Sequence, residues 1–244
     1  MSGGGRHGVR RRFTATSAGT LAALLLAATP SPLNVLDDYH SAVAKLPHPA
    51  FVQFTYTHTR SGPNRIVTEE HRVYRTLEGE ERNDTVTVNG SPIVPARSVI
   101  LHRPVWPYDV AQFAPTPDDY DVSLGGAASL AGRKALHLAL LRKMSADFAL
   151  KDIYLDARRS LPLRETFTVT GGDCAGDGLI NFGPAAAYWL PTSVQVTCTA
   201  QSPTGNSVYK ESIRFTSYGF PRSIPADVFN ATGAVPTTTP AAAP

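Results

Sequence analysis

Three groupings of acidic and histidine side chains could do chemistry in this chain. Glu69-Glu70-His71 falls in a segment with strand periodicity, where neighbours point to opposite faces, so only Glu69 and His71 can share a site. A carboxylate beside an imidazole can act as an acid/base pair or hold a cation. The exposure habits of glutamate favour a solvated outer face, and that is the expectation here. Asp118-Asp119-Tyr120-Asp121 has calcium-like oxygen density but lacks the loop glycine and closing Glu of an EF-hand, so it reads as a polar turn. Asp37-Asp38-Tyr39-His40 reads as a helix N-terminus whose acids match the dipole.

No Gly-x-Ser-x-Gly elbow, His-Glu-x-x-His pair, phosphate-cradling Gly-x-x-x-x-Gly-Lys or dinucleotide Gly-x-Gly-x-x-Gly occurs. The seven histidines are scattered singly. The expectation is a non-enzymatic protein with no catalytic residues, no metal site and no cofactor. Asn-x-Ser/Thr sequons begin at Asn83, Asn89 and Asn230, as chance produces in a Thr-rich chain.

The N-terminus points to export. Arg6, Arg10, Arg11 and Arg12 precede an apolar run from Ala15 to Ala28. That run is shorter than the ~20 residues a bilayer span needs, and with its basic flank it describes a secretory signal peptide at residues 1–28. Arg10-Arg11-Arg12-Phe13 also fits a twin-arginine core, but any Arg-rich leader produces such a match, so Sec export is favoured. A periplasmic or secreted protein is expected. No later stretch approaches a membrane span. Residues 29–231 read as one domain, and 232–244, rich in Ala, Pro and Thr and free of charge, as a disordered tail.

Charge then excludes a partner class. The chain has 23 Lys+Arg and 20 Asp+Glu, and four arginines with no acid lie in residues 1–28. The remainder is near neutral and lacks the field that sequence-independent nucleic-acid binding needs. A monomer is expected. The two cysteines, Cys174 and Cys198, both fall in the exported part; an oxidising compartment favours a disulfide between them, with two buried free thiols as the alternative.

The elements that must position any site are mostly strands. Leu33–Leu46 carries Leu36, Tyr39, Val43 and Leu46 at helical spacing, and Pro47 and Pro49 stop it. Strand patterns follow at 51–60, 65–76, 85–88, 134–140, 149–155, 163–170, 179–182, 189–200 and 208–218, with Asn89-Gly90 a hairpin turn. Residues 98–121 are less regular: Pro104, Pro107, Pro115 and Pro117 forbid a long element, while Trp106, Tyr108, Phe113 and Tyr120 suit a packed flap with a short helix. The expected fold is mainly β (α+β): nine to eleven strands in a strongly curved antiparallel sheet, an open half-barrel, with the N-terminal helix and a short helical insert packed on it.

Such a half-barrel can enclose an apolar ligand between its sheet and helices. The candidate lining is Val52, Phe54, Tyr56, Leu136, Leu138, Leu140, Phe167 and Val169. A core simply filled by these side chains is the competing reading.

Ile153–Phe167, IYLDARRSLPLRETF, is the most informative stretch. Two apolar-alternating segments flank Asp156-Ala157-Arg158-Arg159-Ser160, and Pro162 opens the second segment. With FVQFTYTHTR near the helix and YWLPTSVQVTC near the C-terminus, it resembles the periplasmic LolA-like lipoprotein-carrier fold and its RseB/MucB relatives. In that resemblance Leu155, Asp156, Leu161, Pro162 and Arg164 match a recurrent hairpin with a structural role. The resemblance implies a carrier of lipid or lipoprotein acyl chains, in transport or envelope sensing. The alternative it leaves is an exported module on the same scaffold that touches an envelope protein while its barrel is filled. The insert at 101–120 and the loop around Cys174 are departures from the family pattern.

Overall fold

A computed structural model describes residues 30–106, 109–170, 174–202 and 205–230. The expected signal peptide and tail lie outside the described residues. Eleven strands form one antiparallel sheet: β1 Phe51–Ser61, β2 Ile66–Thr76, β3 Glu80–Val88, β4 Ser91–His102, β5 Tyr120–Leu130, β6 Arg133–Arg142, β7 Phe148–Asp156, β8 Pro162–Val169, β9 Ala175–Ala185, β10 Tyr188–Ser202 and β11 Gly205–Gly219. Their order is β4-β3-β2-β1-β11-β10-β9-β8-β7-β6-β5, so β4 and β5 are free edges and the barrel stays open.

The order explains the role of the irregular segment. β1 to β4 meander outward to one edge, and β5 to β11 meander back from the opposite edge to pair with β1. Residues 103–119 must therefore join the two edges. Two of their side chains lie on the inner face: the Trp106 ring lies 5.7 Å from Phe54 of β1, and Phe113 lies 5.7 Å from Phe148 of β7. A 3-10 turn at Val110–Phe113, capped by the Asp109 carboxylate accepting from the Ala111 amide, is the only helical piece in it among the described residues.

The helix α1 spans Pro32–Val43, with Ser31 as its N-cap accepting from the Asn34 amide at 3.3 Å and Pro32 at its first position. Asp37 and Asp38 thus lie beyond the first turn, which holds no acid, and the expected dipole match is not made. Val35, Leu36, Tyr39 and Val43 form its buried face. The crossing segment is tied to it where His40 Nε2 meets the Pro115 carbonyl at 2.8 Å. Helix and crossing segment together cover the middle of the inner face.

Register shifts bend the strands, including those at Thr55/Tyr56, Glu70/His71, Leu124/Gly126 and Pro191/Ser193. Asn89 and Gly90 both have positive φ, 51° and 77°, the two-residue turn whose twist matches a hairpin. Two strands differ from the sequence reading. Residues 98–102 belong to β4, whose Pro92 and Pro95 are tolerated because the strand is an edge. β5 carries Gly125-Gly126-Ala127-Ala128, poor strand formers held in place by pairing with β6.

The outer face of β3 is also closed in part. The 3-10 turn at Ala226–Phe229 buries Val228 and accepts Arg82 Nη1 on the Val228 carbonyl at 3.0 Å. Arg82 Nε donates to Asp84 at 2.8 Å, both residues almost wholly buried, and Ser98 Oγ, 2.5 Å from Asp84 Oδ1, donates to the same carboxylate.

Candidate ligand-binding cleft and inner face

Val52, Phe54 and Tyr56 project from β1, Leu136, Leu138 and Leu140 from β6, and Phe167 and Val169 from β8. All eight join one hydrophobic cluster with the buried face of α1. Val52, Phe54, Leu138, Leu140 and Phe167 are buried; Tyr56, Leu136 and Val169 are partly buried and packed against them. Leu36, Tyr39 and Leu138 are fully inaccessible. Beneath α1 the inner face is occupied by the protein's own side chains.

Open apolar space lies at one end of that face. A small cleft is walled by Leu46, Val52, Leu77, Trp106, Val110, Trp189 and Leu190, with Pro47, Pro49 and Pro104 beside them. Only Val52 among the eight candidates borders it. The other walls come from the α1–β1 link, the β2–β3 turn, the crossing segment and the start of β10, which no single periodicity connects. The aromatic density of the insert was the one signal for it in the sequence. Trp189 is fixed by its indole N–H donating to the Pro162 carbonyl at 2.7 Å, and Arg159 lies over its ring at 5.5 Å.

Few polar groups reach the cleft. Arg75 is buried, paired with Glu81 at 3.1 Å and donating to the Arg103 carbonyl at 2.6 Å. Burial pushes its guanidinium pKa down, and Glu81 opposes the shift. His48 lies 3.8 Å from Asp109 across the rim.

The hairpin residues act on backbone. Asp156 Oδ1 accepts from the amides of Arg158 and Arg159 at 2.9 and 3.2 Å, and its own amide donates to the Leu161 carbonyl at 2.8 Å. Ser160 takes the positive φ, 55°. Pro162 opens β8 and supplies the carbonyl that holds Trp189. Leu155 and Leu161 are buried, and Arg164 Nε donates to Asn181 at 2.8 Å. The hairpin therefore supports one wall of the cleft. Cys174 and Cys198 are bonded, with their Cα atoms 4.9 Å apart, and tie the approach to β9 onto β10.

Glu69 and His71 differ from the sequence expectation. They lie on the same side of β2 as Val73, facing the core, and not on a solvated outer face. His71 is buried, pairs across the sheet with Tyr56, and stacks on its ring at 4.5 Å and 9°. Burial pushes its pKa down. Asn83, the first sequon, is engaged with both: its Oδ1 accepts from His71 Nδ1 at 3.0 Å and its Nδ2 donates to the Tyr56 hydroxyl at 2.9 Å. Of Asp118 to Asp121, Asp119 closes a turn with the Thr116 hydroxyl, whereas Tyr120 and Asp121 begin β5 and Tyr120 is buried.

Two further polar pairs had no sequence signal. Tyr39 of α1 donates to Glu165 of β8 at 3.1 Å inside the core. On the outer face His137 Nε2 meets Asp152 at 2.7 Å, Thr166 donates to the other Asp152 oxygen at 2.8 Å, and Tyr154 stacks on the imidazole at 4.6 Å. The backbone of Gly125 abuts the far nitrogen of His137, where a triad would need its nucleophile.

No protein-family description matches the chain, and no curated protein matches it. Solved structures are similar to it. A domain named for outer membrane lipoprotein sorting, from Vibrio parahaemolyticus, is 11% identical with a TM-score of 0.48, covering 82% of this chain and 97% of that one. A DUF1329 family protein from Desulfovibrio piger is 11% identical with a TM-score of 0.46, covering 84% and 99%. A LolA superfamily protein from Nitrosomonas europaea is 12% identical with a TM-score of 0.40, covering 83% and 98%. No helix among the described residues is long and apolar enough to cross a membrane.

Proposed function

We propose that this is an exported, non-enzymatic binding protein that holds an apolar, chain-like ligand, a lipid or a lipoprotein acyl chain, in lipid or lipoprotein transport or envelope sensing. The observation that carries the reading is the cleft at the open end of the inner face, walled by Val52, Leu77, Trp106, Val110, Trp189 and Leu190. An acyl chain gains about 0.8 kcal/mol for each methylene it buries, so six methylenes in such a cleft contribute roughly 5 kcal/mol. Trp106 packs on Phe54 and Phe113 on Phe148, so an acyl chain reaching beyond the cleft would have to displace these rings. The leader at 1–28 and the family resemblance support export to the periplasm or beyond.

Mass spectrometry of lipid extracted from the purified protein tests this. Acyl lipid at a stoichiometric level supports it; lipid-free protein that takes up none from vesicles opposes it.

The packed interior beneath α1 favours one second reading, a protein-interaction module on the same scaffold. An aromatic groove along β9–β11, where Tyr188 and Phe220 rings lie 4.3 Å apart, offers it a surface. Crosslinking in the native envelope that captures one specific protein, with the chain lipid-free, would select that reading.

A further inference from the structure

Six or so residues along β1 from the apolar cleft, about 20 Å at the rise of a strand, the inner face changes character. His58 and Glu69 are cross-strand partners on β1 and β2, and His71 lies two residues along β2 from Glu69. One ligand atom from each of His58, Glu69 and His71 lies within 4.8 Å of the others. Glu211 of β11 approaches His58 from the other side, its Oε2 lying 3.6 Å from His58 Nε2. We propose that His58, Glu69 and His71 bind a divalent d-block cation of the zinc class, with the fourth position left to water.

The imidazoles are aimed at one another's space. Neither His58 Nε2 nor His71 Nε2 has a hydrogen-bond partner among the described residues, although both atoms are buried. Buried polar atoms of native proteins are nearly always satisfied, and an ion is one of the few partners that satisfies two imidazole nitrogens at once. The orientation of His71 is set from behind. Tyr56 fixes the Asn83 amide, whose oxygen then requires a proton on His71 Nδ1. That leaves the Nε2 lone pair facing Glu69, 3.6 Å from its Oε2. A remote hydrogen bond that selects the tautomer is the usual support of a metal-bound histidine.

The carboxylates are held the same way. Arg97 Nη2 donates to Glu69 Oε1 at 3.1 Å, and Arg60 Nε donates to Glu211 Oε1 at 2.6 Å. Each glutamate spends Oε1 on a guanidinium and turns Oε2 toward a histidine. The two arginines leave the carboxylates too little charge for a hard cation that needs six or more oxygens, whereas two imidazoles and a carboxylate suit zinc. With metal–ligand bonds of about 2.0–2.2 Å, tetrahedral ligand atoms lie roughly 3.4 Å apart; the His71–Glu69 separation of 3.6 Å is close to this, and the others, within 4.8 Å, would close by side-chain rotation on binding. Access is open: a surface cleft has His58, Glu69, Arg60, Arg65 and Tyr209 in its walls. The proposal is independent of the apolar-ligand reading and concerns a different end of the sheet.

The test is Zn2+ titration of untagged, chelator-treated full-length chain by calorimetry, with Co2+ absorption as a second readout of geometry. One Zn2+ per chain is expected, and a Co2+ visible spectrum of tetrahedral intensity. His58→Ala and Glu69→Gln, both at partly exposed positions, should weaken binding more than about 10-fold with the melting temperature of the metal-free protein kept. Asn83→Ala, which touches no ligand atom on the metal side, should weaken it by about 10–100-fold through loss of orientation. A wild-type chain that takes up no Zn2+ overturns the proposal. So does uptake that is equal in wild type and in the His58→Ala, Glu69→Gln double variant.

Discussion

The Tyr39 hydroxyl donates to Glu165 Oε1 at 3.1 Å, joining α1 to the middle of the sheet across 126 residues of chain. Both side chains are fully inaccessible, and the second carboxyl oxygen of Glu165 has no hydrogen-bond partner among the described residues. Burial raises the Glu165 pKa well above its usual range, with the Tyr39 hydrogen bond opposing only in part.

The sign of the pH effect follows. A free glutamate carboxyl ionises at about pH 4.3, while the folded Glu165 holds its proton to higher pH. Glu165 therefore costs no ionisation energy below about pH 4, and stability falls as pH rises from there toward the folded pKa. Glu165→Gln keeps the shape and an acceptor for Tyr39 without the charge. Urea unfolding from pH 4 to pH 8 should show wild type losing stability relative to the variant, by about 1.4 kcal/mol for each unit separating the two pKa values. A wild type that gains on the variant with rising pH would contradict the assignment.

The Arg82–Asp84 pair under the 226–229 turn should be sensitive to the loss of one partner. Both charges are buried, and Ser98 and the Val228 carbonyl complete the network. Asp84→Ala leaves the guanidinium buried without its counter-charge and is expected to cost about 3–5 kcal/mol. The unfolding midpoint in urea measures it, and a loss below about 1 kcal/mol would mean that solvent reaches Arg82.

The Cys174–Cys198 bond closes a short loop within the sheet. Replacing both residues by alanine should cost about 3 kcal/mol, mostly through the freed unfolded chain, without moving the cleft walls. Comparing unfolding midpoints of oxidised wild type and the double variant checks this. Equal midpoints would place the bond outside the cooperative unit.

These contrasts follow how the fold could be read from residues. α1 was legible because Leu36, Tyr39 and Val43 recur at helical spacing, and the β3–β4 turn because Asn89-Gly90 accepts positive φ at both positions. The β7–β8 hairpin was legible from Asp156 and Pro162. β5 was not, since Gly125 to Ala128 has neither β-branched residues nor alternation and takes its geometry from β6. Nor was the face of Glu69 and His71: glutamate's preference for water was outweighed here by Arg97 and by the stack of His71 on Tyr56. The eight lining residues share one face by alternation, but the space they leave is decided by α1 and by residues 103–119, whose path depends on the strand order.

The wall residue Leu77 offers a gentle way to disturb the cleft, because it is about half exposed at the β2–β3 turn. Leu77→Glu should leave the fold unchanged to within about 0.5 kcal/mol. It should nonetheless weaken acyl-chain binding about 10-fold or more by placing a charge against the chain. Unfolding and lipid-uptake measurements on the same sample separate the two effects, and unaltered uptake would place the ligand elsewhere.

The chain has two tryptophans, Trp106 and Trp189, and both wall the cleft. Titration with a brominated fatty acid, whose bromines quench indole fluorescence on contact, therefore reads the site directly. The account predicts saturable quenching at one acyl chain per protein, relieved by an unbrominated competitor and reduced in Leu77→Glu. Folded protein whose tryptophans stay unquenched up to the solubility limit of the fatty acid would contradict it.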